Sequence, residues 1–198
     1  MPIRFPEPPA LSTSTLESAI ASRETSSEHL AFLKTARPAW TMPHEVYHLG
    51  LNAVETDRGV DAAEPVAWRY VSSEAGKPGS TAADVQHGAG GATFAGLTQA
   101  PFVRAFAEAV QRSAADPTLG VGDFEPRLLQ IPALYIVALW LKDGDPSRDV
   151  FIPLPPANSA VEPGRHYDRK AFEAALAQAA SNMRQTPANQ DEQGTAAP

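Results

Sequence analysis

The chain contains no cysteine. A disulfide framework, a thiol nucleophile and every cysteine-based metal site are therefore excluded. Positive charge is also scarce: 16 Lys and Arg stand against 23 Asp and Glu, a net charge of -7. No cluster of Lys and Arg appears anywhere along the chain. Phosphate neutralisation supplies most of the affinity of nucleic-acid binders, so nucleic acid is not an expected partner. The same argument disfavours an anionic membrane surface. Long apolar runs are missing too. The longest, Ile131 to Leu141, is interrupted by Pro132 and falls far short of the ~20 residues needed to span a bilayer. The N-terminus carries no apolar segment of a signal peptide, and the expected location is cytoplasmic.

What is present suits a folded protein. Of 198 residues, 43% are hydrophobic and 20% charged, the range of globular rather than disordered chains. Nineteen prolines mark many points where regular structure must stop or bend. The expected class is α+β, a single domain over residues 14–185 in which helices flank an antiparallel sheet. An extended or disordered N-terminal arm is expected over 1–13 and a disordered tail over 186–198.

Periodicity assigns the elements. Helices are expected from about Ser14, from Ser26 or Ser27 to before Pro38, and over 43–55, 101–112 and 168–185. Strands are expected over 66–71, 83–86, 93–97 and 150–154. Residues 74–80 and 87–91 read as turns. The segment from Leu134 to Leu141 is apolar on both alternating faces, which fits a strand covered on both sides or a buried helix; its Tyr, Ile, Val and Trp residues favour the strand.

One motif suggests chemistry. On a helical wheel Val46, Tyr47, Leu49, Leu51, Ala53 and Val54 fall on one broad side, while His44, Glu45, His48, Asn52 and Glu55 share the narrow remainder. His44-Glu45-Val46-Tyr47-His48 matches H-E-x-x-H, in which two imidazoles one helical turn apart bind Zn²⁺ and the intervening carboxylate acts as general base. The segment resembles the zinc-binding helix of zincin metallopeptidases. That resemblance implies His44 and His48 as metal ligands and Glu45 as the catalytic base. A third ligand is not identified: the metzincin positions for Gly and His are occupied by Leu51 and Val54, Glu55 is ~10 Å along the helix from His48, and Glu64 or Glu74 lie outside any second motif. The alternative is an ordinary solvated helix face.

Weaker signals lie elsewhere. His87-Gly88-Ala89-Gly90-Gly91 resembles the Gly-rich oxyanion segment of esterases, but no G-x-S-x-G elbow accompanies it, and a loop between short strands accounts for it. Arg69 lies between Trp68 and Tyr70, and in a strand it is expected to face solvent while the aromatics face the core. Trp68, Phe106 and Trp140 are candidate binding residues for an apolar pocket between the sheet and the helix at Pro101.

The leading expectation is a non-enzymatic accessory or protein-interaction module whose partner is a protein, self-association being open, with no cofactor. The alternatives are a zinc-dependent, peptidase-like hydrolase using His44, Glu45 and His48, and a small-ligand carrier.

Overall fold

A computed structural model describes residues 3–22, 33, 38–54, 58–74, 77–120 and 122–185. Its centre is one eight-stranded mixed sheet. The strands are β1 (Ala39–His48), β2 (Glu64–Glu74), β3 (Lys77–Gly88), β4 (Gly91–Gln99), β5 (Glu125–Ile131), β6 (Ile136–Lys142), β7 (Val150–Pro153) and β8 (Tyr167–Asp168), in the spatial order β4-β3-β2-β1-β5-β6-β7-β8. The α-helices among the described residues are α1 (Ser12–Ser22), α2 (Leu51–Val54), α3 (Pro101–Ala115) and α4 (Arg169–Gln185).

The mixed α+β class holds, but the sheet is not wholly antiparallel. Every neighbouring pair is antiparallel except β1 and β5, which run parallel over Val46–Leu128, Tyr47–Leu129 and His48–Gln130. Two antiparallel four-stranded ribbons therefore join at a short parallel seam. A parallel pairing needs a long crossover, and here β2, β3, β4 and α3 form it.

Helices cover both faces. On one face α3 packs Phe106, Ala109 and Val110 against Val46, Leu128, Leu139, Leu141 and Ile152, and Val103 against Val71 and Ala82. On the other, α4 sets Phe172, Leu176 and Ala179 against Leu129, Ile131, Ala138, Trp140 and Phe151. On that same face, α1 lays Leu16 and Ile20 over Tyr70, Ala83 and Val85. Local chemistry starts the two long helices. Pro101 occupies the first turn of α3, where its missing N–H is harmless. The Asp168 carboxylate accepts from the Ala171 N–H at 2.7 Å and caps α4.

Several expectations are corrected. The helix expected over 43–55 does not form: residues 43–54 are the end of strand β1, a two-residue break and the single turn α2, and Glu55 lies outside the described residues. Pro43 does not open a helix. It sits with Met42 in a β-bulge opposite one residue of β2, where the missing N–H costs no ladder bond. Met42 is left-handed there, with φ 53°. The strand favoured for 134–141 is present as β6 but starts at Ile136: a 3-10 turn at Pro132–Leu134 precedes it, with Tyr135 between them at φ 53° and 83% exposed. Helix α1 begins at Ser12, and the N-terminal segment touches the core: Ile3 is buried and forms a parallel bridge to Phe124. Met183, near the end of α4, is exposed. The helix expected from Ser26 or Ser27 lies outside the described residues apart from Leu33, as does the tail 186–198. No helix among the described residues is long and apolar enough to cross a membrane.

A buried carboxylate ties the second ribbon to α4. Asp149 is 1% exposed and accepts from Trp140 Nε1 (3.1 Å), Lys142 Nζ (3.2 Å), the Asp143 N–H (3.0 Å) and Arg169 Nη2 (2.9 Å). Arg169 also reaches Asp61 at 2.7 Å, so the first turn of α4 is bound to two loops at once. Removing one partner from such a cluster strands the others in a dry environment. Asp149→Ala is expected to destabilise the fold by about 3–5 kcal/mol, a fall in Tm of roughly 10 °C. Thermal melts by circular dichroism check this; a loss under about 1 kcal/mol would show that the cluster is held by its packing alone.

Candidate functional site

The H-E-x-x-H residues lie on a strand, and this rearranges them. Successive side chains of a strand point to opposite faces, and residues four apart are separated by ~13 Å. His44 and Val46 face α3, where His44 stacks on Phe106 with ring centroids 4.0 Å apart. His48 follows on the same face, exposed, with Nε2 and Gln130 Oε1 2.7 Å apart. Glu45 lies on the other face, where it accepts a 2.7 Å hydrogen bond from the Tyr47 hydroxyl. The structure therefore brings neither the two imidazoles together nor the carboxylate to either of them. Glu64 pairs in register with His48 as the first residue of β2, and Glu74 lies at that strand's far end. Among the described residues no group of three His, Asp or Glu side chains is placed to hold a metal ion.

The three aromatic candidates are also dispersed. Phe106 belongs to the core under α3. Trp68 packs beside Tyr70 under α1. Trp140 lies under α4, with its indole edge to Tyr47 at 5.4 Å and its face stacked on Phe151 at 5.6 Å. The three belong to three different core clusters.

What the structure does build around the motif is a buried polar pair. The bulge at Met42–Pro43 turns His44 inward, and its Nδ1 lies 2.7 Å from the Met42 carbonyl oxygen. That contact fixes the proton on Nδ1, which donates, and leaves Nε2 bare. Across the strand pair, His44 stands in register with Arg69. Arg69 is the opposite of the solvated side chain expected: it is 5% exposed and forks onto Asp84 at 2.7 and 2.8 Å, with Phe102 beside its guanidinium. The reason is that β2 is covered on both faces, so the residue between Trp68 and Tyr70 meets α3 rather than water. His44 Nε2 and Arg69 Nη1 are both buried without a hydrogen-bond partner. The gap they line with Val71, Val103 and Leu128 is too narrow for a water molecule. Burial holds the His44 imidazole well below its usual range, to about 3, and the nearby Arg69 charge pushes the same way against the Met42 contact.

On the opposite face Arg127 lies over both Tyr47 (4.9 Å) and Trp140 (5.2 Å) and donates to Glu125 at 2.8 Å. Burial first, and then donation to Glu45, raises the Tyr47 phenol above its ordinary range. Arg127 opens onto a polar groove of about 610 Å³ that also holds Arg4, Asp123, Lys142, Asp143 and Arg148. Its cations are matched by carboxylates: Arg4 with Asp123 at 2.8 Å, Arg148 with Asp143 at 3.0 Å and Lys142 with Asp149 at 3.2 Å. Internal pairing of this kind leaves little net field for a charged ligand. The Gly-rich segment 87–91 is the β3–β4 hairpin tip, with Gly91 at φ 98°, a conformation that disfavours any side chain. His87 Nε2 lies 2.5 Å from Ser12 Oγ, a contact between distant parts of the sequence that sequence reasoning did not anticipate. Ser12 is 1% exposed, so the pair ties α1 to the hairpin and offers no open nucleophile.

The depressed His44 value has a definite consequence for stability. Folded His44 binds its proton at about 3, whereas the unfolded imidazole binds it near 6.5. Between those values the unfolded state carries more protons, so stability falls as pH drops through that window, by at most about 1.4 kcal/mol per pH unit from this group. Above the unfolded value the contribution is complete. Urea titrations of the wild type and of His44→Gln between pH 7 and 4 check the sign: the substitution is expected to flatten the slope, and equal slopes would remove His44 as its source. Compared with known protein families, curated proteins and solved structures, the chain matches none of them.

Proposed function

We propose that this chain is a non-enzymatic accessory or interaction module that docks a protein partner by strand addition along β4. The observation that carries the reading is the contrast between the two edges of the sheet. At one edge β8 is two residues long and leads directly into α4 and its basic residues Arg169 and Lys170. Short, charged edges are how folded proteins discourage unwanted pairing. At the other edge β4 is nine residues long and, among the described residues, its strand partner is β3 on one side. From Val85 to Val103 the chain holds no Asp, Glu, Lys or Arg, and β4 itself has no proline. Every second residue of an outermost strand turns its N–H and C=O outward, and such a row binds an extended segment through main-chain hydrogen bonds.

Two experiments test the reading. Hydrogen exchange on a dilute, monomeric sample is expected to show fast outward amides in β4 beside strongly protected β5 and β6; slow exchange throughout β4 in a monomer would remove the docking edge. Metal analysis is expected to find no stoichiometric zinc, and chelator is expected to leave Tm unchanged. One zinc per chain, together with a hydrolase activity lost in Glu45→Gln, would replace the interaction reading with an enzymatic one.

A further inference from the structure

We infer that the segment received by β4 is β4 of a second copy of this chain, paired antiparallel about a two-fold axis between Ala95 and Gly96. The inference rests on the open edge proposed above and names its occupant.

The first argument is in the order of residues. Thr93-Phe94-Ala95-Gly96-Leu97-Thr98 reads nearly the same in both directions by residue class: Thr answers Thr, Phe answers Leu, and Ala answers Gly. An antiparallel pair related by a two-fold axis sets each residue against its mirror position in the sequence. Centred here, it places Thr93 opposite Thr98, and Phe94 opposite Leu97, twice over. Thr–Thr and aromatic–aliphatic pairs are among the favourable cross-strand combinations.

The second argument is geometric, and sequence alone would have argued against it. Residues facing each other across a strand pair lie on the same face of the sheet. In a regular strand positions 93 and 98 differ by an odd number and lie on opposite faces. The pairing would then be impossible. β4 is not regular. The β3 register passes from Asp84–Gly96 to Val85–Phe94, so Ala95 is an extra residue in a bulge. The bulge resets the alternation. Phe94 and Leu97, partners of Val85 and Ala83, both pack on the α1 face. Thr93 and Thr98, partners of Gln86 and Ala82, both lie on the other face. The near-palindrome thus becomes a set of matched faces only in the folded strand.

The third argument is charge. The molecule as a whole is acidic at -7, so two copies carry net charge of the same sign. Strand β4 itself carries no charged residue, so two copies paired along it set no like charges opposite each other. A two-fold contact buries the same surface on both partners and closes on itself, so it yields a dimer with one continuous sheet rather than a fibre.

Sedimentation equilibrium over a micromolar to submillimolar range tests this on the full chain. The expected mass rises from 21.1 kDa toward twice that value with concentration. Two double variants then read the register. Thr93→Lys with Thr98→Lys sets like charges opposite each other twice; Thr93→Lys with Thr98→Glu sets opposite charges there. The first is expected to dimerise at least about tenfold more weakly than the second. Equal dissociation constants, with both variants melting like the wild type, would overturn the register and with it the proposed pair. A wild type that stays monomeric across the range would overturn the second copy as occupant, while fast β4 exchange in the same sample would leave strand addition to another protein standing. Slow β4 exchange in that monomer would remove both.

Discussion

The parallel seam between β1 and β5 is the constraint on which the rest of the architecture depends. It is short, three register pairs extended by the Leu49 N–H donating to the Gln130 carbonyl at 2.9 Å. Across it the two antiparallel ribbons share one core on each face. Val46 and Leu128 are neighbours under α3, while Tyr47 and Leu129 are neighbours under α4. A one-residue slip would exchange these faces and set residues shaped for α3 against α4. The crossover that the seam demands, running through β2, β3, β4 and α3, is also what carries β4 to the far edge.

Polar groups inside this frame act as fasteners. Asp149 joins β6, the following loop and α4 through four donors. Arg69 and Asp84 join β2 to β3 beneath α3 through a bidentate pair, the geometry that suits a guanidinium best. His44 is accommodated as a neutral ring on Phe106, at the cost of a bare Nε2 and of sensitivity to acid. Asp149, Arg69 and His44 are all buried. The polar surface groove beside Arg127 holds cations already matched with carboxylates.

The edges of the sheet differ from its interior in this respect. Charged residues occur in β5, at the end of β6 and along α4 but not in β4, so the long edge strand is set apart chemically as well as by position. The bulge at Ala95 strengthens the point. Bulges usually disturb an edge and discourage pairing, but this one restores face matching for a sequence that is nearly symmetric about it. The proposed interaction thus arises from one irregularity in an otherwise plain hairpin.

Much of the fold is legible in the sequence because local pattern and tertiary environment agree there. Helix α3 shows its buried stripe at Val103, Phe106, Ala109 and Val110, strand β2 its β-branched and aromatic run, and β6 its two apolar faces. The sequence was misleading at 43–55, where the apolar residues of a strand, a break and one helical turn together imitate a helical period. Nothing local separates the two readings, because Pro43 suits a helix start as well as a bulge. Only pairing on both sides, with β2 and β5, decides for the strand. That decision disperses His44, Glu45 and His48, since a motif spaced for 3.6 residues per turn loses its meaning at a period of two. By itself the sequence determined the absence of cysteine chemistry, the helix and strand stock of most segments and the lack of acidic, Lys and Arg residues over 85–103. The tertiary structure decided which faces are covered, and so placed Arg69 in the interior and β4 at the rim, because burial and edge position are properties of the packed sheet and not of any segment within it.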